Sequence, residues 1–239
     1  MKTLGVIGGL GPMATAYLME LVTKMTKSSC DQEHLPMIVY SYPQIPDRTA
    51  YILKKTPNSP VPVIVRLAKQ LQQQEVSAIA IPCITAHYFW QEISGQVDTP
   101  VLNALVGTAE HLRENGVRKV GIMATDGTIA TGLLQRTLEN AGMEVLLPNA
   151  ENQQGVMDLI YRDIKANRPP DMELFRKISS DLHNSGAEVI ILGCTELSLI
   201  KKAYDIGPGF IDALEVLARL AVLACGKELN EAFRCVITK

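Results

Sequence analysis

Two short segments hold the residues best suited to chemistry. They are Ala80-Ile81-Pro82-Cys83-Ile84-Thr85-Ala86-His87 and Ile191-Leu192-Gly193-Cys194-Thr195-Glu196-Leu197. In each, one cysteine ends an apolar, β-branched run, and a threonine follows it within two residues. That pattern places both cysteines where a buried strand opens into a loop. The residues after them are polar: Thr85 and His87 in one segment, Thr195 and Glu196 in the other. Such donors and acceptors suit a polar ligand better than a continuing core.

Two thiols facing one site have a specific use. A stereocentre next to a carboxylate is inverted by removing its proton on one face and returning a proton on the other. One group must then be a base while its partner is an acid. A free thiol, with a pKa of about 8.5, is only a few per cent thiolate at neutral pH. Bringing it to about 7 requires roughly 2 kcal/mol of environmental stabilisation. Loop amides and helix N-termini beyond each strand are the expected source. The competing expectation for any cysteine is simple burial in the core, and Cys30, Cys225 and Cys235 are assigned to it.

The elements that must position these thiols follow from periodicity. Residues 4–7, 37–42, 78–81 and 100–103 read as strands, and 13–27 and 61–74 as helices, with a Pro-rich loop over 43–48. The pattern then restarts. Strands are expected at 117–123, 143–147 and 186–192, and helices at 129–141, 154–165 and 171–185. Residues 213–225 carry Glu215 and Arg219 and read as an amphipathic helix rather than a membrane span. Alternating strands and helices indicate an α/β fold with mostly parallel sheets. The restart is an internal repeat: Leu4-Gly-Val-Ile-Gly-Gly-Leu-Gly parallels Val120-Gly-Ile-Met-Ala-Thr-Asp-Gly, and the Cys83 segment parallels the Cys194 segment. Two similar Rossmann-like domains would gather their strand ends around a shared cleft.

Bulk properties narrow the partners. The chain has 239 residues, 47% hydrophobic and 20% charged, as expected for a soluble globular protein. A formal net charge of −2 argues against nucleic acid or an anionic membrane as partner. Five scattered cysteines include no CxxC pair and no zinc-like Cys/His cluster, so reduced thiols in a cytoplasmic protein and no metal are expected. The N-terminus reads as neither a signal peptide nor a span. The loop Gly8-Gly9-Leu10-Gly11-Pro12 could bring backbone N–H groups to an anion. It lacks the full dinucleotide spacing, and the next strand ends in Tyr40-Ser41-Tyr42 without an acid, which argues against NAD.

The sequence resembles the aspartate/glutamate racemase family, and within it the cofactor-independent aspartate racemases. The resemblance lies in Gly8–Thr15, Pro43-Gln-Ile-Pro-Asp-Arg-Thr49, Pro82-Cys83-x-Thr85-Ala86-His87, Ala124–Thr128 and Gly193-Cys-Thr-Glu-Leu197, in family order over essentially the whole chain. It implies catalytic cysteines at Cys83 and Cys194, no pyridoxal phosphate or other cofactor, and a small dicarboxylic amino acid, aspartate or glutamate, as substrate. It also implies two α/β domains with the site between them. Residues 1–103 would form the first, completed by 208–239, and 104–207 the second; members are commonly homodimers.

A dicarboxylic substrate needs cations. Arg48, in its Pro-bounded loop, has a rigid fork suited to a carboxylate. Lys165 falls at nearly the same offset in the second half, and the resemblance maps a lysine for the side-chain carboxylate onto it. The expected binding set is Leu10, Arg48, Ile84, Thr85, Thr128, Lys165, Thr195 and Glu196. For several of these the bland role stays open. Thr128 and Thr131 either cap a helix or touch ligand. His87 either tunes Cys83 or is a structural histidine. Glu196 either orients an amine or a thiol, or serves as a first-turn helix acid. One departure stands out: Ile84 occupies a position where the family usually has Asn, whose amide helps hold the α-carboxylate. Loss of a hydrogen bond to a charged group is worth about 1.5–3 kcal/mol.

Overall fold

The computed structural model describes residues 2–239. Its strands are β1 (Leu4–Gly8), β2 (Met37–Ser41), β3 (Ala78–Ala80), β4 (Lys119–Met123), β5 (Glu144–Leu146), β6 (Val189–Leu192) and β7 (Phe210–Asp212). Its α-helices are α1 (Pro12–Met25), α2 (Arg48–Ile52), α3 (Val61–Gln73), α4 (Trp90–Ser94), α5 (Ala104–Glu114), α6 (Asp126–Thr131), α7 (Leu133–Asn140), α8 (Ala150–Met157), α9 (Met172–Asn184), α10 (Thr195–Ala203) and α11 (Ala213–Ala224). A 3₁₀ helix spans Ile84–Phe89 and a π-helical segment Asp158–Ile164.

The repeat is visible in the topology. One sheet has the order β2-β1-β3 and the other β5-β4-β6-β7, and every strand pairing is parallel. In each, the first strand of the half is central, flanked by its second and third. The loops after β1 and β3, and after β4 and β6, therefore leave from the point where the strand order reverses. Open α/β sheets bind ligands there.

Alternation along the strands sorts the core into layers. Leu4 and Val6 of β1, Val120 and Ile122 of β4, and Ile191 of β6 share one cluster with Leu214, Leu217, Ala218 and Ala221 of α11. The outer face of the first sheet buries Ile7 and Ile79 against Ile64, Leu67 and Leu71. The outer face of the second buries Met123, Ile190 and Leu192 against Phe175 and Ile178. Both halves thus rest on one central apolar layer. Helix α11 packs on α1 and β3 of the first half and on α5, which opens the second, while β7 pairs with β6. The segment after residue 208 consequently meets both sheets: residues expected to complete the first unit begin as an edge strand of the second.

Several local expectations change. Residues 100–103 form only a bridge, Val101 to Ile79, because Pro100 has no N–H to extend a ladder. The helix expected over 129–141 starts at Asp126, capped by the Thr125 hydroxyl, and breaks at Gly132, whose φ is 61°. The helix expected over 154–165 starts at Ala150, where the Asn149 side chain caps it, and turns π-helical before Lys165. Cys225 is buried as expected, but Cys30 is exposed and Cys235 half-buried, because both lie in irregular segments outside the packed layers. Among the described residues, no helix is long and apolar enough to cross a membrane.

The segment that delivers Cys194 is fixed from behind by Asp212. Its Oδ1 accepts from the Leu214 amide at 2.8 Å, capping α11, and from Ser198 Oγ of α10 at 2.7 Å. Oδ2 is buried without a partner. Burial, and then the charge of Glu215, raise the Asp212 carboxyl to about 7, against the pull of Lys201 and the two hydrogen bonds.

This architecture makes two stability measurements informative. Gly9 has φ 88°, and a Cβ there would lie 2.4 Å from the Tyr42 amide nitrogen, whereas Gly116 has φ 74° with nothing within 4 Å. In denaturant unfolding, Gly116→Ala costs only left-handed strain, about 1 kcal/mol, while Gly9→Ala adds a backbone collision and costs about 3 kcal/mol or more. For Asp212 the folded pKa lies above the unfolded one, so the stability it contributes is complete at acid pH and lost as pH rises through about 7. Asp212→Asn, which keeps an Oδ1 acceptor, flattens that decline and is more stable than wild type at pH above the window.

Candidate active site

The cleft between the halves is narrow and is lined by Leu10, Asp47, Arg48, Thr49, Cys83, Ile84, Thr85, Thr125, Tyr161, Lys165, Cys194, Thr195 and Glu196. Both cysteines are buried at the N-cap of the helix that follows them. Every expected site residue except Thr128 lines the cleft. Thr128 stands behind it, in a ring of buried hydroxyls: Thr85 to Thr125 at 3.0 Å, Thr85 to Thr128 at 3.0 Å and Thr125 to Thr128 at 3.1 Å. The Thr125 hydroxyl also accepts from the Thr128 amide. Thr128 is therefore part of a helix cap that ties the halves together.

Arg48 is 8% exposed and mostly committed to the backbone. Nη1 donates to the carbonyls of Ile45 and Pro46 at 3.2 and 3.0 Å, and Nη2 to that of Leu10 at 3.1 Å. Guanidinium has five N–H donors, so Nε–H and one Nη2–H remain, and Nε has no partner. Those two donors are not taken up by backbone carbonyls. Burial works against the charge, but the Cys83 sulfur, Asp47 and Tyr161 keep it above its ordinary value.

On the opposite wall Lys165 Nζ pairs with Glu196 Oε1 at 2.6 Å, and Glu196 Oε2 accepts from Cys194 Sγ at 2.9 Å. Burial opposes the lysine's charge, but Glu196 and the two sulfurs outweigh it and raise its pKa. The Cys194 thiol is pushed well above its ordinary value by burial and by the Glu196 charge, with Lys165 opposing. The expected lowering by loop amides is therefore outweighed at Cys194 by burial and then by a neighbouring carboxylate. Glu196 contacts the Cys194 thiol and also stands in the first turn of α10.

Asp47, Thr49, Thr125 and Tyr161 were not among the expected site residues. Asp47 Oδ1 caps α2 through the Ala50 amide at 2.7 Å, and Oδ2 accepts from Tyr161 Oη across the cleft at 3.3 Å. Burial raises the Tyr161 hydroxyl to about 12, Thr49 pulls it down, and Asp47 adds to the rise. A Cβ on Gly127 would lie 2.9 Å from Thr49 Cα, so the halves touch there as well. The signals were available: Asp47 and Thr49 flank Arg48, Thr125 opens the second Gly/Thr loop, and Tyr161 lies four residues before Lys165. The π-helical segment delivers both of the latter pair, with the ammonium 5.4 Å from the Tyr161 ring centroid.

His87 is buried, and burial holds its pKa below the ordinary value. Its Nδ1 donates to the Cys83 carbonyl at 3.0 Å, so it braces the backbone of Cys83 rather than its sulfur. The glycine loop is closed on itself: the Gly9 amide donates to Thr15 Oγ1 at 2.9 Å, and that hydroxyl donates to the Gly11 carbonyl at 3.0 Å. Among the described residues no group of three or more His, Cys, Asp or Glu side chains could hold a metal ion.

Comparison with known proteins gives a consistent family. A family model described as Asp/Glu/Hydantoin racemase matches residues 7–221. The broad specificity amino-acid racemase RacX of Bacillus subtilis is 26% identical over 227 residues, covering 92% of this chain and 96% of its own. An aspartate racemase structure from Picrophilus torridus superposes with a TM-score of 0.85 at 30% identity, covering 99% of each chain. An aspartate racemase homologue from Pyrococcus horikoshii gives 0.76 at 25% identity, over 95% of this chain and 100% of that one.

The anchoring of Arg48 predicts that charge alone does not replace it. Arg48→Lys leaves buried carbonyls without donors and lowers unfolding stability by about 2 kcal/mol. It also weakens binding of a small dicarboxylate by about tenfold or more in calorimetric titration.

Proposed function

The chain belongs to the Asp/Glu/hydantoin racemase family, and from that premise we propose that it interconverts L- and D-aspartate by proton transfer between two cysteines, without an organic cofactor. The observation that carries this reading is the pair of buried thiols. Cys83 and Cys194 come from equivalent strand ends of the two halves and line one cleft with two cations, Arg48 and Lys165. One thiolate removes the Cα proton, and the electron pair delocalises into the α-carboxylate. The opposite thiol returns a proton to the other face. The remaining donors of Arg48 and the ammonium of Lys165 each take a substrate carboxylate, and charge-assisted bonds of about 1.5–3 kcal/mol each select a dicarboxylic amino acid over alanine. The similarity to the Picrophilus enzyme supports aspartate over glutamate.

Ile84 favours a second reading. It lines the cleft and offers no side-chain hydrogen bond, so an α-carboxylate there depends on backbone amides or water. That suits a related isomerase of the same family (glutamate or hydantoin racemase, maleate isomerase) or a protein that binds dicarboxylic amino acids with little turnover.

The test is solvent deuterium incorporation at Cα of L- and D-aspartate with no added cofactor. Wild type exchanges both enantiomers. Cys83→Ala and Cys194→Ala each lose racemisation by about 10²–10⁴-fold. Racemisation that survives in either variant would falsify the two-thiol assignment. Calorimetric binding without any exchange in wild type moves the conclusion to the binding protein.

A further inference from the structure

The cleft contains two carboxylates with different commitments. Asp47 is occupied by the cap of α2 and by Tyr161. Glu196, only 4% exposed, bridges a cation and a sulfur: Oε1 on Lys165 Nζ at 2.6 Å, Oε2 accepting from Cys194 Sγ at 2.9 Å. Its Oε1 also stands against the glycine loop, where a Cβ on Gly11 would lie 3.0 Å away. A substrate carboxylate that reaches Lys165 must share that ammonium with a resident anion that has little room to retreat.

We propose that Glu196 is the proton acceptor that arms Cys194, and that it does so when a substrate carboxylate joins it on Lys165. The proposal rests on the dicarboxylic amino-acid reading given above. Two carboxylates on one ammonium repel, and the cheaper arrangement protonates one of them. The nearest proton is on Cys194. The Sγ–H bond breaks and its electron pair stays on sulfur. A new O–H bond forms on Glu196 Oε2. Lys165 turns its N–H toward the arriving carboxylate, and the transfer leaves the total charge of the cleft unchanged. The thiolate so formed can take the Cα proton of the enantiomer that faces it.

The surroundings fit this sequence. Tyr161 of the π-helical segment and Lys165 just after it face Cys194, while Cys83 and Arg48 face the cleft from the first half. While Glu196 keeps its charge, burial and that charge hold Cys194 as a thiol. Lys165 favours the thiolate once Glu196 is neutral. Specificity then enters at the chemical step, because a ligand without a second carboxylate leaves Lys165 on Glu196 and Cys194 protonated.

The experiment follows thiolate ultraviolet absorbance against pH in Cys83→Ala, with and without succinate, and with propionate as the monocarboxylate. Succinate moves the Cys194 titration down by about one pH unit or more; propionate leaves it in place. Adding Glu196→Gln lowers the starting midpoint and abolishes the downward shift. If succinate binds calorimetrically and the midpoint stays or rises, the arming step is wrong while the dicarboxylate reading stands. A downward shift that persists in the Glu196→Gln background overturns the arming step in the same way. If succinate does not bind at all, the dicarboxylate reading fails and takes the arming step with it.

Discussion

A parallel sheet sends the C-terminal end of every strand to one edge, and this chain does so twice. Everything at the cleft depends on that constraint. The glycine loop and Cys83 leave adjacent strands of the first sheet, while the Thr125 loop and Cys194 leave adjacent strands of the second. Because both sheets rest on one apolar layer that includes α11, the two edges are held face to face. No loop has to be long, and each thiol is buried at the first turn after its strand.

Holding two halves together over a polar cleft requires buried polar groups to be satisfied. The hydroxyl ring of Thr85, Thr125 and Thr128 does this across the division, and the contact of Tyr161 with Asp47 does it at the opposite wall. Arg48 is held by three carbonyls, including that of Leu10 from the glycine loop. Its charge is thus a structural tie, with Nε left without a partner. The two cations differ in kind. Arg48 is pinned to backbone, whereas Lys165 is held by a single carboxylate that also contacts a sulfur.

Much of this was legible in the residues. The strand-ending cysteines, the repeat, the Pro-bounded arginine and the glycine loops are local patterns with local causes, so β1, β4 and β6 and most cleft residues follow from them. The misreadings share a different cause. Gly132 breaks a helix whose apolar spacing continues across it, because a periodic pattern does not report a left-handed turn. The π-helical segment before Lys165 keeps an ordinary helical composition. The edge strand β7 is three residues long, and it is defined by β6 beside it rather than by its own sequence.

The sequence by itself determined the α/β fold class, the presence of two matched halves and the strand-end thiols, since these follow from periodicity and residue type; Arg48 stood out by its Pro-bounded loop, and Lys165 chiefly by the resemblance. Only the tertiary structure decided what each group does there. Glu196 bonding Cys194, Asp47 reaching Tyr161 and His87 turning to a carbonyl are meetings of side chains whose partners and burial are set by packing. The physical reason is electrostatic. A thiol's proton affinity depends on burial and on the charges within a few ångströms of it, and those distances exist only once the two sheets have closed on their common core.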